Sequence, residues 1–326
     1  KFQKESRQFG AQRRASEGRA AEIALRNLSV NAGFTDVTRL VLRMEGKLTE
    51  MSSAYFDWQR VDEIELMVSV DEWGKSSHNC RKLLKSVPAK YKKNETVQKF
   101  QEVHKKLKEQ YSRTKLMMEQ AMEDRTVFEV WELRELGANP VVRPIVEFLV
   151  VRIAGDTDVF RMGFLTDEGL VDALGNVLSV EPEEQVWIAH PFDLYQSGQW
   201  HEYQKVLFER QIRQAFKQVF RELYLKLDEE SELCESRMFS GNQIQPQKTV
   251  GALRSRRWVA DYEDGLQKVY YKENIVACIY AMADWFTPSD AEAPTLEWVV
   301  FSNRKTGERM RIWEIPDVIY SEVMRD

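Results

Sequence analysis

The alternation of apolar and polar residues from Trp258 to Trp313 constrains this fold more than any other feature. Trp258–Tyr262 and Leu266–Tyr271 flank Glu263-Asp264-Gly265, and Asp-Gly between alternating runs specifies a β-hairpin. Ile275–Trp285 is a short apolar run rich in strand formers, read as a central strand. Leu296–Phe301 and Arg309–Trp313 lie on either side of Asn303-Arg304-Lys305-Thr306-Gly307, another turn, and Pro316 opens a last helix over 316–325. Four or five antiparallel strands with helices packed on them make a C-terminal meander, and the fold class expected is α+β.

The first half reads as helical with one β-hairpin. Residues 4–29 carry Phe9, Ala20, Ile23, Ala24 and Leu28 on one side of a helix. A second helix is expected from Thr35, with Val37, Leu40, Val41, Met44, Leu48 and Met51 on its packed stripe. Ile64, Leu66, Val68 and Val70 then alternate with polar residues, and Asp71-Glu72-Trp73-Gly74 would turn this strand onto 75–80. Trp73-Gly74-Lys75 has the look of a WGR motif, but a turn between strands accounts for it. Over 94–124, Val97, Phe100, Val103, Leu107, Tyr111, Thr114, Met118 and Ala121 form the narrow seam of a long helix. Asn139-Pro140 opens an apolar core helix running through Val150, and short strands are expected at 159–165 and 186–189. Helices return from Pro191, broken at Ser197-Gly198. The last of them carries Ile212, Phe216, Val219, Phe220, Leu223 and Leu227 on one face, and is expected to lie across the meander. The chain is expected to divide into a mostly helical domain, 1–157, with its hairpin near 63–80, and an α+β domain, 158–326.

Composition removes several function classes. Cys80, Cys234 and Cys278 are odd in number and form no CxxC pair, as expected in a reducing compartment. No apolar run approaches the ~20 residues of a membrane span, and the first residues lack an apolar signal core, so a cytoplasmic location without membrane contact is expected. The sequence lacks an initiator Met and stops at SEVMRD, which suggests a piece of a longer protein. Its four histidines, His78, His104, His190 and His201, fit no HExxH spacing, and there is no GxxxxGK[ST], GxGxxG after a strand, or GxSxG. Neither a metal site nor a cofactor is expected.

Three polar groupings remain. His190, Arg221 and Glu222 are the candidate catalytic residues, with Asp193, Gln218 and Tyr224 as candidate binding residues around them. A histidine beside a carboxylate and an arginine can bind an anion or move a proton. The competing reading is a helix-end histidine and an Arg–Glu network that holds the fold together. Arg254, Arg256 and Arg257 beside Trp258 could contact nucleic acid, yet arginines at a helix C-terminus also complement its dipole. Finally, Arg81–Met117 holds twelve Lys and Arg against three Glu inside a chain of net charge −5. Lys92, Lys93, Lys105, Lys106, Lys108 and Arg113 could meet phosphate groups, or form a solvated face.

The runs QAFKQVFRELY (214–224), SRMFSGNQIQPQK (236–248), RRWVADYEDGLQKVYY (256–271), ADWF (283–286) and SEVMRD (321–326) resemble the C-terminal region of the bacterial molybdate metabolism regulator-like proteins. The resemblance covers about 200–326 and extends more thinly over 80–150; Ala215 stands where other members often have Pro. These are large cytoplasmic proteins, some with a WGR domain, and their shared domain has no established reaction. The resemblance implies a regulatory or interaction context. Since no WGR module is present here, it implies no DNA role through one. The function expected is therefore a non-catalytic regulatory or interaction module of a larger bacterial cytoplasmic protein. Its partners would be other domains of the same chain or a separate protein. The alternatives are nucleic-acid binding through the basic helix 81–117 and an enzyme acting on an anionic small molecule.

Overall fold

The computed structural model describes residues 23–31, 36–46, 56–62, 64–70, 76–81, 87, 89–155, 161–261, 265–283, 285, 288–290 and 294–326. Mixed α+β architecture runs throughout them, with a helix-rich first half and a strand-rich C-terminal region. The chain groups into two compact units, Ser29–Arg221, and Glu222–Asp326 together with Lys1–Leu28. This grouping differs from the expected division at 157/158.

Among the described N-terminal residues, 23–31 are helical (α1), and Ile23 and Leu28, expected on a packed side, are each 54% exposed. Helix α2 (Val37–Gly46) starts on Asp36, whose Oδ1 accepts the Thr38 N–H at 2.7 Å. The expected cap, Thr35, lies outside the described residues. The buried face of α2 is also rotated from the expected stripe. Leu40 of the stripe is buried, but Thr38, Leu42 and Glu45 are inside with it, whereas Met44 is 60% exposed. Strands β1 (Phe56–Val61), β2 (Ile64–Val70) and β3 (Ser76–Arg81) form an antiparallel sheet in that order. The expected hairpin is present with Leu66 opposite Cys80, and β1 is an additional partner on the other edge. Its turn, with Trp73-Gly74-Lys75, lies outside the described residues.

Helix α3 (Glu95–Glu123) is the element most legible in advance. Asn94 caps it by accepting from the Thr96 and Val97 N–H groups, and Val97, Phe100, Leu107, Thr114, Met118 and Ala121 are buried along the expected seam. Helix α4 (Val130–Ala138) follows, preceded by β4 (Phe128–Glu129). The core helix expected over 141–150 is a correction. Only α5 (Arg143–Val146) is helical, and the chain then becomes β5 (Val150–Ile153). Phe148, at φ +60°, breaks the helix, and the β-branched pair Val150-Val151 suits a strand. The apolar residues are buried as expected; only their conformation differs.

β5 is central to a six-stranded antiparallel sheet ordered β4-β9-β5-β6-β7-β8, completed by β6 (Met162–Thr166), β7 (Gly169–Val171), β8 (Val177–Leu178) and β9 (Gln185–Ile188). Both its faces are covered. Val151, Ile153, Leu165, Val186 and Ile188 pack with α3, α4 and α5. Val150, Met162 and Phe164 point the other way, to Leu194, Tyr203 and Leu207. Alternate residues of each strand thus serve opposite cores. The second core is closed by α6 (Pro191–Ser197), which ends at Gly198 with φ +70°, and α7 (Trp200–Glu209).

After α7 the expected helix through Leu227 does not form. Gln211 takes φ +54°, and residues 212–227 are neither helix nor strand. Phe216, Gln218, Val219 and Arg221 are buried while Phe220 is half exposed, a pattern without helical period. The backbone is satisfied by other means: Gln214 Oε1 accepts the Val219 N–H at 3.1 Å, and Trp200 Nε1 donates to the Val219 carbonyl at 2.7 Å.

In the Glu222–Asp326 unit the expected meander is present. It runs β10 (Glu235–Ser236), β14 (Leu296–Asn303), β13 (Ile275–Ala281), β12 (Gly265–Tyr270) and β11 (Val259–Asp261), all antiparallel. Helices α8 (Pro246–Arg254) and α9 (Asp317–Arg325) pack on it: Val250 and Leu253 from one, and Ile319, Tyr320 and Val323 from the other, join Leu266, Ala277 and Phe301. Arg309–Trp313, expected as a strand, supplies one bridge, Arg309 to Ser302, and then a turn of 3₁₀ helix.

Candidate functional site

β9 ends at Ile188, and His190 turns the chain into α6. Its backbone is extended, Pro191 occupies the first helical position, and its Nδ1 accepts the Phe192 N–H at 3.1 Å. Nδ1 is therefore an unprotonated acceptor and the ring proton sits on Nε2. Asp193 closes the box by accepting the His190 N–H through Oδ2 at 2.9 Å. Both side chains are fully buried. The other oxygen of Asp193 takes two guanidinium groups, Arg152 Nη1 at 2.7 Å and Arg125 Nη2 at 3.0 Å. Arg152 stands directly opposite Trp187 in the β5–β9 ladder, and both arginines lie over that indole, at 5.2 and 6.0 Å.

Gln218 joins the same neighbourhood from the irregular segment. Its Oε1 accepts the Val150 N–H at 2.9 Å, and its Nε2 donates to the carbonyls of Val150 at 2.7 Å and Ala189 at 2.8 Å. The carboxamide extends the ladder where β5 begins and β9 ends. Gln214 braces it, donating to Oε1 at 2.8 Å and to the Phe148 carbonyl at 2.8 Å.

Arg221 bonds to the last turns of α3, Nη1 to Glu119 at 2.6 Å and Nη2 to Glu123 at 2.9 Å. Its side chain is 1% exposed. The structure thus brings His190, Asp193 and Gln218 together, with Arg221 bound to the helix whose C-terminal end carries Arg125. Glu222 is exposed in the other unit. Tyr224, also there, donates its backbone N–H to Ser321 Oγ at 3.1 Å and sets its ring edge-on to Phe239.

The three arginines beside Trp258 separate. Arg254 is exposed in the last turn of α8; Arg256 reaches Asp326 at 3.4 Å; Arg257, at φ +71°, lies over the Tyr270 ring. Asp326 also accepts from Trp258 Nε1 at 2.9 Å and Lys268 Nζ at 2.8 Å. Lys268 faces inward between Leu266 and Tyr270, so a charge occupies the apolar face of β12 and is matched there.

Of the basic helix expected over 81–117, the described residues are α-helical only from Glu95 onward: Arg81 ends β3, Lys92 and Lys93 are exposed in the turn before α3, and Lys105 and Lys108 are exposed on α3. Lys106 pairs with Glu102 at 2.8 Å, which holds the Glu102 carboxyl below its usual range, and Arg113 pairs with Glu45 at 2.7 Å, which raises the guanidinium further.

Sequence reasoning missed Arg125, Arg152, Trp187 and Gln214. One signal was available: Arg125 follows the α3 C-cap at φ +47°, a position that favours glycine, and its side chain there bonds Asp193. Among the described residues no group of three His, Cys, Asp or Glu side chains is arranged to hold a metal ion, and no helix is long and apolar enough to cross a membrane.

A family model described as a domain of unknown function (DUF4132) matches residues 82–258, more than half the chain, and a family of unknown function (DUF5724) matches 1–44. No curated protein and no solved structure matches the sequence.

Proposed function

The chain belongs to the DUF4132 family, a domain of unknown function, and from that premise we propose that it is a non-catalytic regulatory or interaction module of a larger bacterial cytoplasmic protein. One observation carries this reading. The polar groups that looked most like a reactive site are consumed in holding the fold. His190 caps a helix, Asp193 bridges two arginines, Gln218 extends a strand ladder and Arg221 binds two glutamates, all four side chains being buried. A catalytic acid or base must reach its substrate's proton, and these side chains face protein. The runs resembling molybdate metabolism regulator-like proteins support the regulatory context.

His190→Ala and Arg221→Ala test the reading directly. Each should lower the melting temperature by several degrees, and the purified chain should turn over no metabolite supplied to it, with or without either substitution. Lost turnover at an unchanged melting temperature would establish the enzymatic alternative.

A second reading, nucleic-acid binding, is favoured by the exposed Lys105 and Lys108 on α3 and Lys92 and Lys93 in the turn before it. It predicts a mobility shift at ~50 mM salt that weakens steeply as salt rises. No shift at that salt would end it.

A further inference from the structure

The Glu222–Asp326 unit carries an open groove of about 600 Å³ whose lining includes Arg237, Ser240, Met282, Leu296, Glu297 and Trp298. Its origin is a fault in the sheet edge. β10 pairs with Val299 and Val300, and the chain then leaves β14. It returns at Gly241, whose N–H donates to the Leu296 carbonyl at 2.9 Å, and at Asn242, whose carbonyl accepts the Leu296 N–H at 2.9 Å. On the other side of β14, Tyr280 opposes Trp298 and Ala281 opposes Leu296, so Glu297 is the extra residue of a bulge. Bulges re-aim side chains at sheet edges.

The charges in this groove are unequal in their commitments. Arg237 lies over the Trp298 ring at 5.4 Å and is held by Glu235 through Nε at 2.8 Å and Nη2 at 2.6 Å. Glu297 is partly exposed, and no described cation pairs with it. Beside it lies apolar surface: Met282 is 85% exposed, with Pro294 and Leu296 continuing the wall. Exposed apolar surface of this kind, rimmed by polar groups, marks interaction sites. A lysine or arginine side chain matches both features, since its alkyl stem packs on apolar surface while its head takes a carboxylate.

We propose that this groove binds a short peptide segment of a partner protein through a Lys or Arg side chain laid along Met282 and Leu296 with its cationic end at Glu297. The proposal rests on the interaction reading above and names the chemistry of the partner. In the full chain with ¹⁵N-labelled tryptophan, the Trp298 indole signal, assigned through Trp298→Phe, reports on the groove. Titration with acetyl-Gly-Leu-Lys-Leu-Gly-amide should move that signal to saturation, whereas the Glu-for-Lys peptide should not. Glu297→Gln should weaken binding about fivefold, and Met282→Ser should weaken it as well, both at unchanged melting temperature. An unmoved Trp298 signal, equal binding of the acidic peptide, or unaltered affinity in Glu297→Gln would each overturn the proposal. A partner recovered equally by wild type and Glu297→Lys would also overturn it while leaving the interaction reading standing. Turnover by the purified chain would instead strike at that reading itself.

Discussion

Helix α3 and the segment 211–221 are both built into the Ser29–Arg221 unit, but they satisfy their backbones in opposite ways. In α3 each interior N–H meets a carbonyl one turn away, so side chains are free to sort by side: apolar inward, lysine outward. In 211–221 the backbone has no such ladder: Gln214 and Trp200 bond the Val219 N–H and carbonyl that a helix would have paired for itself, and Gln218 spends its carboxamide on Val150 and Ala189. Periodicity is a property of the first kind of element. In the second, sequence reports which residues are buried without reporting the conformation that buries them.

This contrast can be broken or sharpened by substitution. The largest effect is expected from Gln218→Leu, which keeps the side-chain bulk but leaves the Val150 N–H and the Ala189 carbonyl short of a partner, the Val150 carbonyl retaining the Ala189 N–H. We expect a loss of about 3–5 kcal/mol by denaturant unfolding, at ~1–3 kcal/mol per unsatisfied buried group. A loss under 1 kcal/mol would mean that the carboxamide is dispensable. Arg221→Leu should cost about 3 kcal/mol, because it strands Glu123 in the interior, and Glu123→Gln in that background should recover part of the loss.

Tyr203 probes the same core from a regular helix. Burial raises its phenol above the usual range, helped by the Asp172 charge, and its hydroxyl donates to the Met162 carbonyl at 2.7 Å. A raised native pKa favours folding while the unfolded tyrosine stays protonated, so stability should be full below pH ~10 and fall above it. Tyr203→Phe should cost about 1 kcal/mol at neutral pH and flatten that alkaline decline; identical pH profiles would contradict the assignment. The smallest effect belongs to α3 itself. Thr114 is buried and its Oγ1 has no hydrogen-bond partner among the described residues, so Thr114→Val should change stability by less than about 0.5 kcal/mol.

The same distinction explains what could be read in advance. The meander was legible because Asp264-Gly265 and the alternation around it fix both turn and register; α3 was legible through Asn94 and a seam of unbroken spacing. β5 was misread because Val141–Val150 is apolar apart from Arg143, Pro144 and Glu147, and a run so nearly apolar has little period to distinguish strand from helix. α2 presents the reverse difficulty. Its inward face carries Thr38 and Glu45, with Glu45 bound by Arg113 from α3, and a polar inward face cannot be recognised without its partner. The candidate site presents the same difficulty. Asp193 and Gln218 can be noticed in the sequence, but the groups that bind them, Arg125, Arg152 and Val150, are distant along the chain.

Amide hydrogen exchange at Val150 tests most directly whether these polar residues serve the fold. The structure predicts a Val150 N–H protected like its neighbours in β5 and β9, with protection falling selectively at Val150 in Gln218→Ala. If exchange there follows the neighbouring amides equally in both proteins, Gln218 does not complete the ladder, and the structural role assigned to the cluster is wrong.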